Sequence, residues 1–223
     1  MEIRQTKNNK RGLFIVCGIN ASGKDTLARE IAKSFSHPVI TSESRLILYG
    51  LGLIPFYAAG HIITTEQYKT LENTPQKAID RIICTSYRST LISLAKDNLV
   101  LLLYHLVFAL NIDRKKPQFL TEKKIPSWLC SLSSGWMHIK SSGEEVLKRR
   151  RRDSKTTERD RGKFMLNDII VHQRLCDERW RDINHNHPTG KYITLYNKQG
   201  ELQIVASKAI EFINNNSLPL KHK

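Results

Sequence analysis

The chain has 223 residues, of which 40% are hydrophobic, so it can bury a sizeable core and is not expected to be disordered. It carries 36 Lys and Arg against 21 Asp and Glu, which gives a formal net charge of +15 at pH 7. This excess predicts an anionic partner, and the charge alone leaves nucleotides, nucleic acid and an acidic membrane surface open.

The cysteines and the apolar runs favour a cytoplasmic protein. The four cysteines are far apart, form no C-x-x-C pair and follow no apolar leader in "MEIRQTKNNKRG", which favours a reducing compartment and free thiols. The longest apolar stretch, Leu99 to Leu110, is interrupted by His105 and falls short of the ~20 residues that span a bilayer. We therefore predict no membrane span.

Short apolar strands alternate with amphipathic helices along the chain. The predicted elements are strand 13–17, helix 24–35, strand 38–41, helices 43–50 and 66–96 with a break near 73–75, strand 98–105, a short helix and turn at 125–135, strand 136–140, helix 144–152, a polar connection at 153–162, helix 163–184, strand 191–197 and helix 201–213. Unbroken runs such as "LFIVC" are typical of strands buried on both faces of a parallel sheet. The alternation predicts an α/β fold, a three-layer α/β/α sandwich around a parallel sheet of about five strands.

One domain accounts for this pattern. We expect it to span 1–216, with the polar end 217–223 frayed. Its largest helical insertion is 43–96, between the second and third strands.

The stretch "GINASGKDT" has the composition and the context of a phosphate-binding loop. Gly18 and Gly23 enclose four residues, Lys24 follows, and the stretch lies between a predicted strand and a predicted helix. Glycines let backbone N–H groups approach a triphosphate, and the lysine adds a positive charge. The residues predicted to hold ATP are Gly18, Asn20, Ala21, Ser22, Gly23, Lys24, Asp25 and Thr26. An ordinary strand-to-helix turn is the alternative.

Asp25 stands where phosphate loops usually place Ser or Thr to meet Mg²⁺, and Thr26 comes one residue later. The order lysine, one residue, threonine resembles the "GKGT" ending of adenylate kinases, within the nucleoside monophosphate kinase group of P-loop NTPases. That resemblance implies that Thr26 faces the α-phosphate. Asp25 either helps to hold Mg²⁺ through water or caps the helix, so Asp25 and Thr26 are the candidate metal-site residues.

A second basic motif, "EEVLKRRRRDSKTTERDRGKFMLNDIIVHQRL", resembles the lid and following helix of archaeal-type adenylate kinases. The residues that carry the likeness are Arg149 and Arg150 for an arginine pair, Asp153, Arg159 and Arg161 for a second arginine set, and His172–Gln173 on the helix. The resemblance implies a lid at 149–163 that closes over ATP, with Lys24, Arg149, Arg152, Arg159 and Arg161 stabilising the transferred phosphoryl group. The alternatives are a solvated helix end and a nucleic-acid or nuclear-localisation patch.

The chain departs from that family at the third strand, where an acidic D-x-H is usual and Leu103-Tyr104-His105 stands instead. His105 either points to the active site or is a satisfied core residue. Arg45 is the candidate that grips the acceptor, whereas Arg81 and Arg88 fit surface positions better.

Two other patterns carry little weight. "HNHP" (185–188) lacks a third metal ligand, and Cys17 fits a buried small hydrophobe better than a nucleophile.

The resemblance implies an ATP- and Mg²⁺-dependent kinase that acts on a small acceptor, expected to be a nucleoside monophosphate. The alternative is a catalytically weakened, ATP-binding regulatory protein that associates with RNA or another polyanion. The sequence leaves the acceptor and the oligomeric state open.

Overall fold

The structure is a computed structural model that describes residues 8–59, 63–110, 118–120, 125–156 and 165–219. Its strands are β1 (Lys10–Cys17), β2 (Pro38–Ser42), β3 (Leu99–Tyr104), β4 (Phe108–Leu110), β5 (Gln118–Leu120), β6 (Ser133–Lys140), β7 (Tyr192–Tyr196) and β8 (Leu218–Pro219). Its helices are α1 (Lys24–Ala32), α2 (Glu43–Gly50), α3 (Thr65–Asn73), α4 (Gln76–Ile82), α5 (Arg88–Asp97), α6 (Ser127–Leu132), α7 (Gly143–Thr156), α8 (Leu166–Asn186) and α9 (Leu202–Asn216).

Five strands form a parallel sheet in the order β2-β3-β1-β6-β7. All five carboxyl ends therefore meet at one edge of the sheet, and β1 is central. β8 adds a short antiparallel pairing to the start of β1, and β4 pairs with β5 in a separate two-stranded ribbon. The predicted α/β/α sandwich with about five parallel strands is confirmed.

Alternate residues of β1 face two apolar clusters, which explains its unbroken apolar sequence. Leu13, Ile15 and Cys17 pack in the cluster that contains residues of α5, α6 and α8. Phe14 and Val16 pack in the cluster that contains residues of α1 and α9. The sheet therefore has α8 on one face and α1 with α9 on the other.

The helical insertion begins as predicted and then divides. α2 has the predicted bounds, and the Ser42 side chain accepts from the Arg45 backbone N–H at 3.3 Å, which caps it. The stretch predicted as helix 66–96 breaks at Thr74 and Pro75 into α3 and α4, and a π-helical segment, Ile83–Tyr87, precedes α5. This segment places Tyr87 in the core with 2% exposure.

Several boundaries differ from the expectations. α1 ends at Ala32, three residues before its predicted end, and α9 runs three residues past its predicted end, to Asn216. α7 runs to Thr156, so the start of the predicted polar connection is helical. Ser142 accepts from the Glu145 N–H at the start of α7, and two glutamates occupy its first turn, which favours a long helix. β6 begins at Ser133, three residues early, and β8 lies within the tail that we expected to fray. Within the described residues, no helix is both long and apolar enough to cross a membrane.

Candidate nucleotide-binding site

The predicted phosphate loop joins the carboxyl end of β1 to the first turn of α1, at the edge of the sheet where parallel α/β folds bind ligands. Gly23, the N-cap of α1, has φ +92° and makes no side-chain cap hydrogen bond. Ala21 also has a positive φ, +65°. The first-turn N–H groups of α1 have no partner within the helix and carry its positive dipole end, so the loop suits an anion.

Lys24 is 5% exposed, and its ammonium group lies inside the loop. Its Nζ donates to the carbonyl oxygens of Gly18 and Ile19, at 3.0 Å each. Burial lowers the pKa of Lys24, and the neighbouring Asp25 carboxylate partly opposes that shift. A positive group fixed at this position is what a polyphosphate requires.

The Ser22 hydroxyl supplies a second donor in the loop. It is fully buried, points towards Gly18 and makes no hydrogen bond within the described part of the chain. An unsatisfied buried donor beside the Lys24 ammonium favours an anionic ligand here, because a buried polar group without a partner costs free energy.

Three side chains stabilise the loop by donating hydrogen bonds to one backbone oxygen. The Ser22 carbonyl accepts from Asn197 Nδ2 at 2.9 Å, from an Arg149 terminal nitrogen at 3.0 Å and from Ser141 Oγ at 3.1 Å. Asn197 follows β7, Ser141 follows β6 and Arg149 lies on α7. We call this cluster of four residues the Ser22 brace.

Sequence reasoning missed Asn197 and Ser141. Ser141 directly follows the predicted strand 136–140, and Asn197 is the last residue of the predicted strand 191–197. Their position at the carboxyl edge that carries the loop was the signal available for finding them.

Arg149 lies at the base of the predicted lid and is tied into the brace. Its Nε donates to Glu145 at 2.9 Å, and its terminal nitrogens also reach Ser141 Oγ at 3.2 Å and the Asn197 carbonyl at 3.3 Å. The side chain of Arg149 is only 16% exposed. As placed, Arg149 supports the loop backbone and does not extend over the open face of the site.

Of the other three predicted lid arginines, the structure describes Arg152. Arg152 is exposed, and Arg159 and Arg161 lie outside the described residues. Arg150 is 2% exposed and donates to the Asn20 carbonyl at 3.3 Å. The α7 arginines that contact the loop are therefore the adjacent pair Arg149 and Arg150.

The helix pair His172–Gln173 of α8 faces the same region. His172 Nε2 lies 3.1 Å from the Val107 carbonyl, and Gln173 donates to the Ser141 carbonyl at 2.5 Å. Burial lowers the pKa of His172 to about 4. Gln173 thereby supports a member of the brace.

The candidate acceptor arginines occupy different environments. Arg45, on the first turn of α2, is half-buried, and one terminal nitrogen lies 3.4 Å from Ser42 Oγ. Arg81 is exposed, and the exposed Arg88 guanidinium lies 5.8 Å from the ring centroid of Trp128. The structure thus leaves Arg45 as the arginine nearest the carboxyl end of β2.

A buried carboxylate that sequence reasoning missed, Glu43, follows β2 at this edge of the sheet. Ser42, the last residue of β2, is in register with Leu103, which is in register with Val16 of β1. Glu43 therefore follows β2 at the same edge of the sheet at which Gly18 follows β1. Glu43 is 3% exposed. Burial, and secondarily the Glu43 carboxylate, raises the pKa of both Tyr87 and Tyr104. The kinases that the chain resembles usually have an aspartate at the end of the third strand, where this chain has the core residue Leu103. In this chain, the buried carboxylate at that edge of the sheet is Glu43, after β2.

The residues at the loop could help to bind a magnesium ion that enters together with a nucleotide. They do not form a complete metal site of protein ligands. Asp25 and Thr26 are exposed on the first turn of α1. Within the described residues, no group of three or more His, Cys, Asp or Glu could hold a metal, and the "HNHP" histidines form no such group. Magnesium commonly binds through one or two carboxylates together with phosphates and water.

Two cysteines near the loop are core residues, whereas His105, which follows β3, is not fully buried. Cys17 is fully buried, and burial raises its thiol pKa, as expected of a small hydrophobe in the core. Cys176 of α8 is also buried, with a pKa raised to about 12. His105 is half-buried.

Comparisons with known proteins agree with this geometry. No protein-family model and no curated protein sequence matches the chain. A shikimate kinase from Acinetobacter baumannii in complex with shikimate superposes with a TM-score of 0.56 at 15% identity, covering 93% of this chain and 96% of that chain. The fold is that of a P-loop kinase. A shikimate kinase from Bacteroides thetaiotaomicron shares this P-loop kinase fold, with a TM-score of 0.50 at 9% identity over 91% of this chain and 98% of that chain.

Proposed function

We propose that the protein is an ATP-dependent small-molecule kinase. The observation that carries the proposal is the loop between β1 and α1, which brings the buried Lys24 ammonium, an uncapped helix N-terminus and the Ser22 hydroxyl to one place. In the reaction, an acceptor oxygen bonds to the γ-phosphorus of ATP, and the bond from that phosphorus to the bridging oxygen of the departing ADP breaks.

The residues of the chain position and neutralise the phosphates. Lys24 and the first-turn N–H groups of α1 bind the β- and γ-phosphates, and Gly18, Asn20, Ala21, Ser22 and Gly23 form the wall of the loop. Asp25 and Thr26 would hold Mg²⁺, which supplies charge neutralisation on the phosphates when it is bound. Arg149 positions the loop, and Arg152, Arg159 and Arg161 form the part of the lid that closes.

The first candidate acceptor is a nucleoside monophosphate, held through its phosphate by Arg45, as the adenylate kinase resemblance implies. Such an acceptor already carries a nucleophilic phosphate oxygen and needs no base.

A hydroxylated acceptor is the second candidate, and Glu43 favours it. Glu43 is a buried carboxylate at the carboxyl edge of the sheet, and it could accept the proton of an attacking hydroxyl as a general base. The shikimate complex of the Acinetobacter protein supports the inclusion of polyhydroxylated carboxylic acids among the acceptors to test.

The test is ADP formation from MgATP with each nucleoside monophosphate and with a panel of sugars and hydroxy acids. Lys24→Ala should abolish acceptor-dependent turnover, whereas Lys33→Ala, at a lysine whose side chain is 70% exposed, should not. Loss of turnover in Glu43→Gln with a hydroxyl acceptor would support the second candidate. Unchanged turnover in Lys24→Ala would refute the proposal.

The regulatory alternative is distinguished by the same measurements. It predicts ATP binding that depends on Lys24, no ADP with any acceptor and binding of a polyanion. The +15 charge supports a polyanionic partner, but it does not identify one.

A further inference from the structure

An open groove lies between α8 and the β6–β7 side of the sheet. Its volume is about 570 Å³, within the range of ligand-binding sites. Lys140 of β6, Thr194 and Tyr196 of β7, and Arg174 and Arg181 of α8 line it. None of these five side chains is proposed to hold ATP, whereas Gln173, which also lines the groove, donates to Ser141 of the Ser22 brace.

The groove is cationic. Three basic side chains line it against one carboxylate, Asp177, which accepts from Lys140 Nζ at 2.6 Å. Arg174 and Arg181 are exposed, and the pairing of Arg174 with Glu178 is loose, at 3.9 Å. The buried His138 adds no charge at neutral pH, because burial lowers its pKa to about 4 despite the nearby Asp177. Two arginines are therefore available to an anion.

The arginines are arranged for an extended ligand. Arg174, Asp177 and Arg181 recur at helical spacing along one face of α8. The two arginines are seven positions apart, which is about 10 Å along the helix axis. A chain with repeated phosphates can engage both guanidinium groups.

Aromatic surface lies beside these charges. Tyr196 stands at the end of β7, the outermost strand of the sheet path, and is 60% exposed. Lys140 Nζ lies 5.9 Å from the centroid of its ring, and Trp180 contributes to the wall. Exposed aromatic rings beside basic side chains are the combination by which proteins bind unpaired bases and their phosphates.

We propose that this groove is a binding site for single-stranded nucleic acid, with a base stacked on Tyr196 and the backbone phosphates on Arg174 and Arg181. The net charge of +15 attracts the strand, and the groove gives it a defined position. We expect the strand and ATP to bind independently, because the lining of the groove includes none of the residues proposed to hold ATP. The proposal does not rest on the kinase reaction.

The test is fluorescence anisotropy of a labelled oligouridylate of about ten nucleotides, a length within the usual footprint of single-strand sites. The groove variants are Arg174→Glu/Arg181→Glu and Tyr196→Ala. The matched control is Arg29→Glu/Lys208→Glu, which reverses two exposed charges on α1 and α9, across the sheet, and changes the net charge equally. Circular dichroism establishes that each variant is folded.

We expect the groove double variant to weaken binding at least tenfold more than the control and to reduce its salt dependence. Tyr196→Ala should weaken binding at least fivefold. Because Tyr196 is exposed, this variant should fold, and it therefore tests the proposal even if the double variant does not fold. Saturating MgATP should not displace the strand. Absence of binding, equal loss in both double variants, or displacement by ATP would each overturn the proposal. An unchanged affinity in Tyr196→Ala would overturn it as well.

Discussion

Gly23→Ala tests whether the phosphate loop depends on the Ser22 brace. A Cβ at Gly23 would lie 2.2 Å from Asn197 Nδ2 and 3.1 Å from an Arg149 terminal nitrogen, at a backbone φ of +92°. The left-handed backbone costs about 1–2 kcal/mol for alanine. Displacing the Asn197 amide from the Ser22 carbonyl adds about 1 kcal/mol, the usual net value of a hydrogen bond. The free energy of unfolding should therefore fall by roughly 2–3 kcal/mol.

The control is Gly200→Ala, where φ is +82° and nothing lies within 4 Å of the added Cβ. It should carry the backbone cost alone, so the two variants should differ by about 1 kcal/mol in urea unfolding. Gly23→Ala should also weaken ATP binding measured by calorimetry, and Gly200→Ala should not. If Asn197 is first changed to alanine, Gly23→Ala should become less costly, because its nearest obstacle is gone. Equal losses of stability and unchanged ATP affinity would refute this reasoning.

Three further outcomes are expected. Asn197→Ala should lower the free energy of unfolding by about 1–2 kcal/mol and weaken ATP binding, since it removes a donor from the buried Ser22 carbonyl; calorimetry that shows full affinity would contradict this. Arg149→Ala should reduce the urea midpoint more than the exposed Arg152→Ala, which should change stability by less than about 0.5 kcal/mol; the reverse order would exclude Arg149 as a support of the loop. The pKa of His172 is about 4 in the folded chain and near 6.5 in the unfolded chain, so the unfolded chain binds a proton at a higher pH. The free energy of unfolding should therefore fall as the pH is lowered from 6.5 to 4. At pH 5 His172 should lower the free energy of unfolding by about 2 kcal/mol relative to neutral pH. If His172→Gln lost as much stability between pH 7 and pH 5 as the wild-type protein, this prediction would be wrong.

The sheet and the phosphate loop could be predicted because their signals are local. "LFIVC" is apolar at every position since both faces of β1 are covered, and the glycines of the loop follow directly in the sequence. The end of α2 at Gly50 and the break at Pro75 are equally local, because glycine and proline set backbone limits by themselves.

The brace and the buried acid could not be predicted in the same way, because contacts across many residues define them. Asn197 is 175 residues from Ser22, and nothing in "LYNKQG" marks its amide for a carbonyl in the loop. Arg149 had the composition of a lid residue, but its direction was decided by Glu145 and by the strand ends that it meets. In the sequence Glu43 is an ordinary acid in the first turn of a helix. Only the register of β2 with β3 places it at the edge of the sheet that carries the phosphate loop.

The Ser22 brace makes the phosphate-binding motif a property of the assembled chain. The nine residues of "GINASGKDT" lie near the amino end, yet the donors that hold their backbone come from 141, 149 and 197. A fragment that ends before β7 would keep every letter of the motif and lose the amide that supports it. Removal of the carboxyl-terminal third should therefore weaken nucleotide binding, so limited proteolysis there would impair a site whose own sequence the cleavage leaves intact.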